Sequence, residues 1–121
     1  MEQKPHDALC EAKEAGMDII IKEGVANGRA LTDPAVVKAA SELGCTVDAL
    51  ALACILVQPF APRVLSGAVT EEQLKMNFAA QEVAQQLTST EEGKRILSEV
   101  MEGCKMSSEK YWSDRSALAW N

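Results

Sequence analysis

RVLSGAVTEEQLKMN, from Arg63 to Asn77, carries a short apolar strand through a small-residue turn into a helix with a strong start signal. Val64 and Leu65 are strand formers, and Ser66, Gly67 and Ala68 let backbone approach a ligand closely. Thr70 and Gln73 form a T-x-x-Q capping box. The helix after them opens with free N–H groups and a partial positive charge, which favours a phosphate in front of it. A plain strand-to-helix turn with a good cap accounts for the same residues, because a single Gly is no phosphate fingerprint.

Working upstream, Pro5 to Ala15 reads as an amphipathic helix with Ala8, Leu9, Ala12 and Ala15 on one side and Gly16 as its C-terminal cap. Met17 to Ile21 then gives a β-branched run of the kind expected of a strand covered on both faces. Val25 to Thr32 is a loop with a turn at Asn27 and Gly28, and Asp33 followed by Pro34 starts a helix that ends at Gly44. Thr46 caps a helix that is apolar on nearly every side until Pro59 and Pro62 stop it. Downstream, Thr70 to about Leu87 is a helix, Ser89 with Glu92 makes a second capping box for a helix reaching about Met106, and YWSDRSALAW forms a short terminal helix. The order of helix, strand, helices, strand and helices predicts an α/β fold with parallel strands joined by a crossover. Two strands are too few to cover and close such a sheet, so the chain reads as a piece of something larger.

The 121 residues suit one domain, and 47% hydrophobic with 25% charged residues is an ordinary globular balance. A formal net charge of -6, without a basic patch, argues against nucleic acid and anionic membrane as partners. Glu2, His6 and Asp7 stand where a signal peptide needs an apolar core, and no apolar run spans a bilayer, so the expected location is cytoplasmic. Cys10, Cys45, Cys54 and Cys104 are irregularly spaced beside a single His, a pattern of reduced structural thiols with no metal site. Cys54, inside an apolar helix, reads as core.

Four motifs in order resemble the C-terminal part of the aldo-keto reductases, (β/α)8 barrel oxidoreductases that use a nicotinamide coenzyme. They are EAKEAGMDIIIKEGVANGRA, GCTVDALALACILVQP, RVLSGAVTEEQLKMN and the terminal EKYWSDRSALAWN. The resemblance covers nearly all of residues 1–121 and implies the C-terminal part of a TIM barrel, two parallel strands with flanking helices, in a partial reductase domain. It implies that Ser66 and Gly67 form the coenzyme turn. Gln73 and Asn77 then contact the phosphate and adenine region, as in the E-Q-L-x-x-N version of the motif that Glu72 and Leu74 complete. Gly24 and Val25 fall where relatives cradle the pyrophosphate. Lys22 replaces the aromatic residue that often stacks on nicotinamide, so that role does not carry over. Many relatives grip the 2′-phosphate with Lys-Ser and Arg, where this chain has Gly67, Ala68 and Gln73, so the coenzyme that the resemblance implies is NADP or NAD, held by its adenosine phosphate end.

The family's catalytic Asp, Tyr, Lys and His belong to earlier strands, so no catalytic residue is assigned. His6 reads as a surface residue, and Tyr111 and Lys110, adjacent on a helix, do not face each other. The resemblance implies a truncated or split reductase whose full-length form reduces aldehydes or ketones with NAD(P)H. The alternatives are a non-catalytic nucleotide-binding or interaction module, self-associated through its strand edges, and one half of an enzyme completed by another chain. Trp112 and Trp120 either pack on the barrel wall or reach the mouth of the site.

Overall fold

Side-chain caps set most of the helix starts. The computed structural model describes residues 2–26 and 28–119; Asn27 of the expected turn and Trp120 lie outside the described residues. Asp33 Oδ1 accepts the Ala35 N–H at 2.9 Å and Pro34 takes the first helical position, starting α2 (Pro34–Leu43). Gly44, at φ 68°, closes it in a left-handed conformation that costs a glycine little. Thr46 Oγ1 accepts the Ala49 N–H at 3.4 Å to begin α3 (Val47–Leu56), which leaves α2 at a 98° bend. Ala49 to Cys54 are all buried, as the all-round apolar pattern requires. This helix ends before Pro59: Gln58 folds back and its Nε2 donates to the Cys54 carbonyl at 2.6 Å, satisfying a buried acceptor.

After α4 (Glu71–Ser89) the chain turns into α5 (Glu91–Gly103), and the cap there is Thr90 instead of the expected Ser89. Thr90 Oγ1 accepts the Gly93 N–H at 2.9 Å and donates to the Gln86 carbonyl at 2.9 Å, while Ser89 stays helical and bonds back to Gln85. The shift follows from Gly93, which lies so close to the Gln86 and Leu87 backbone that any Cβ there would collide. The core is the four-helix packing of α2 to α5, built on Val36, Leu50, Leu52, Val83, Leu87, Ile96 and Val100.

The remaining elements lie at its margin. They are α1 (Gln3–Glu14), β1 (Ile20–Ile21), a 3-10 turn at Arg29–Thr32, β2 (Arg63–Val64) and α6 (Ser108–Ser116). β1 and β2 pair in parallel, Ile20 opposite Arg63 and Ile21 opposite Val64. Both are shorter than the runs Met17 to Ile21 and Arg63 to Leu65 suggest. The expected portion of a TIM barrel, two parallel strands with flanking helices, is therefore corrected: the chain is an α-rich small domain. Its packing is helix on helix, and the strand pair is a two-residue clip beside it. Ile19 is buried, but Ile20 is 61% exposed and Leu65 54% exposed, so the sheet is not covered on both faces as a barrel strand would be. No residue of α1 is buried either, although its sequence is amphipathic. Among the described residues no single helix is long and apolar enough to cross a membrane.

Candidate functional site

The turn from β2 into α4 is held by side chains that reach back across it. Thr70 Oγ1 accepts the Gln73 N–H at 3.1 Å, and Gln73 Oε1 accepts the Val69 N–H at 2.9 Å. The reciprocal bond of the capping box thus lands one residue before the cap. Ser66 Oγ accepts the Ala68 N–H at 3.1 Å and is met by Asn77 Nδ2 at 2.6 Å, across eleven residues of chain. A serine oxygen that accepts two bonds still has its hydroxyl proton to donate outward. The N–H groups of Glu71 and Glu72 in the first turn have no acceptor among the described residues, as expected at a helix start.

Ser66 and Asn77 line one side of a groove of about 180 Å³. Leu52, Leu56, Val64 and Leu74 supply apolar lining, and the 61% exposed Phe78 stands at it as well. This volume is below that of a usual small-molecule pocket, so it suits one ring system and not a whole dinucleotide. Of the residues expected from sequence, Ser66 and Asn77 are brought together here, while Gln73 is engaged with the turn's own backbone. Gly67 is exposed, with open space around its Cα. Gly24 and Val25 belong to the loop after β1. A Cβ on Gly24 would meet Leu52 at 2.9 Å and Val64 at 3.4 Å, two residues that also line the groove. Gly24 thus borders the groove wall from behind Leu52 and Val64. Leu74 and Phe78 follow from helical spacing after Thr70, but their place in a groove depends on α3, which sequence spacing does not reveal.

The electrostatics are those of an acidic helix start. Glu71 and Glu72 occupy the first turn, and Lys75 is tied to Glu71 at 2.8 Å. A doubly charged phosphate therefore meets two carboxylates, and the nearby Lys75 is already engaged by one of them. The arrangement can take an apolar ring against its lining and a polar group of low charge near Ser66.

The other polar candidates are accounted for by structure. His6 Nε2 bonds Gln58 Oε1 at 3.1 Å and its ring stands edge-on to Phe60 at 5.6 Å, so it is half-buried wall and not a free surface residue. Lys110 Nζ donates to Asp114 at 2.9 Å, whereas Tyr111 accepts from Arg115 at 3.5 Å, so the two do not act as a pair. Trp112 is 61% exposed and packs on the Tyr111 ring at 5.4 Å, away from any barrel wall. Burial pushes the Cys54 thiol up to about 12, and burial also raises Cys45 and Cys104, so all three are poor nucleophiles. Among the described residues no group of three His, Cys, Asp or Glu could hold a metal ion.

No family model matches the chain, and neither a curated protein nor a solved structure matches it.

Proposed function

We propose that this chain is a nucleotide-binding module that takes the adenosine phosphate end of a nicotinamide coenzyme between β2 and α4. The observation that carries the reading is the Ser66–Asn77 contact at 2.6 Å, set at the edge of an apolar-lined groove. The base lies against Leu52, Leu74 and Phe78. Ser66, the second Asn77 amide proton and the free N–H groups of Glu71 and Glu72 face the phosphate. The acidic first turn favours NAD over NADP. The resemblance to aldo-keto reductases supports the ligand's identity, and with it the coarser idea that the segment serves oxidoreductase chemistry. Hydride transfer is no part of the proposal, since His6 and Tyr111 are engaged elsewhere.

Calorimetric titration of the purified chain with ADP-ribose, NAD and NADPH tests this. Saturable binding of ADP-ribose and NAD, weaker binding of NADPH, and loss of binding in Asn77→Ala are expected; no saturable binding of any of the three ends the proposal. One observation favours a second reading for partners: Met17, Ile20 and Leu65 are bare beside unpaired strand edges, which favours self-association. Light scattering across a concentration series decides it, a monomer throughout being the adverse result.

A further inference from the structure

A second and larger cavity, of about 650 Å³, lies between α1, the loop after β1, the end of α3 and α6. That volume is in the range of small-molecule sites. Its walls are chiefly apolar, from Leu9, Ile21, Ile55, Phe60 and Met106, and the His6 ring contributes a face because its Nε2 is already engaged by Gln58.

The charged groups on this wall differ in what they have left to offer. Asp33 spends Oδ1 on the α2 cap, accepting from Ala35 at 2.9 Å, an uncharged donor that leaves the carboxylate on the cavity wall. Glu2 lines the cavity with one oxygen, Oε2, closed off from solvent and without a hydrogen-bond partner among the described residues, so a molecule in the cavity meets at most its other oxygen. Lys22 is exposed and has no acidic partner among the described residues. Arg29 lies with its guanidinium 5.8 Å from the Tyr111 ring centroid and spends one N–H group on Asp114 at 3.2 Å, leaving others of its five donors unspent. Asp114 is in turn shared with Lys110 at 2.9 Å. The hydrogen-bond donors left unspent in this apolar chamber are therefore those of Lys22, on the loop after β1, and Arg29, at the start of the 3-10 turn, with the carboxylates of Glu2 and Asp33 on the same wall.

We propose that this cavity binds an amphipathic monoanion: an apolar chain or ring system ending in a carboxylate. The headgroup is held by Lys22 and Arg29, and the apolar body lies against Leu9, Ile55 and Phe60. The carboxylate competes with Asp114 for Arg29, and α6 carries both Asp114 and the Tyr111 wall, so occupancy of the site weakens the hold on that helix. None of this depends on the groove at Ser66.

Calorimetric titration of the full chain with decanoate and with decylamine, both below their micelle concentrations, tests the proposal. Decanoate is expected to bind saturably at one site and decylamine not to. Lys22→Gln should weaken decanoate about tenfold, the worth of one charge-assisted contact. Asp114→Asn, by releasing Arg29, should tighten it about threefold, since the competing contact is a partly exposed one. Asn77→Ala should leave decanoate unchanged while acting on the nucleotide groove. Circular dichroism of each variant establishes that it folds. Equal or tighter binding of the amine, absence of saturable decanoate binding, or a Lys22→Gln variant that binds as the parent does would each overturn it.

Discussion

The helices α2 to α5 and the elements at their margin are held by different physics. In the first group the contacts are apolar and buried, with Leu50, Leu87 and Ile96 fully enclosed and each helix start capped by Asp33, Thr46, Thr70 or Thr90. In the second, α6 has no buried residue among those described and is tied down by charge. Arg29 pairs with Asp114 at 3.2 Å, Arg115 with Glu23 at 3.4 Å, and Lys4 with Glu109 at 3.8 Å. Partly exposed ion pairs stabilise little, so the contrast separates a rigid part from one that opens readily. Both candidate sites lie along the boundary between the two, where α3 supplies apolar wall and a loop supplies polar groups.

The contrast breaks most severely at Gly93. Gly93→Ala drives a Cβ into the backbone of Gln86 and Leu87, and since backbone cannot swing aside the expected loss is about 3 kcal/mol in urea unfolding. Leu50→Ala, a cavity at the centre of α3, should cost a similar ~3 kcal/mol. Thr90→Ala removes a cap and should cost about 1 kcal/mol by the same measurement.

Acidification sharpens the comparison from the other side. The Asp114 carboxyl is held below its ordinary range chiefly by its hydrogen bond from Lys110, aided by Arg29, and Glu109 is lowered by a backbone hydrogen bond and by Lys4. A carboxyl depressed in the folded state contributes stability that is present above its unfolded value and lost as pH falls through the folded one. Amide NMR spectra should therefore show residues 108–116 loosening as pH drops below about 4, while α3 signals persist. Simultaneous loss of both would mean that α6 is part of the core. The smallest effect is chemical: a thiol reagent at neutral pH should leave Cys54 unmodified until the chain unfolds.

What was legible in the sequence was what is local. Asp33-Pro34, Thr46 and Thr70 mark helix starts because a cap is written within four residues, and the Gly44 stop is equally local. Ser89 misleads because Thr90 beside it has the same chemistry, and only the closeness of Gly93 to α4 selects between them. The isoleucine run at Ile19 to Ile21 promises burial without saying what does the burying. Here Ile19 is covered while Ile20 is bare, and the barrel expected around it is replaced by helix packing. The residues expected to hold a coenzyme divide in the same way: Ser66 and Asn77 meet because a turn and two helical turns bring them there, whereas Gly24 and Val25 sit on a loop that packs beside α3. The larger cavity was not legible at all, since its lining runs from Glu2 to Tyr111 and no motif connects them.

The packing order along the chain also bears on how fast this protein folds. α3 packs most extensively on α4, then α4 on α5, with α2 on α3 and α2 on α5 equal behind them; only the last joins helices that are not neighbours in sequence, so most of the core forms without closing a long loop. The Ile20–Arg63 pairing, by contrast, must bring together residues separated by two whole helices. The helical core should accordingly assemble on a microsecond to millisecond scale, on the order seen for helical domains. The strand clip, with the groove at Ser66 and the cavity beside it, would be completed last.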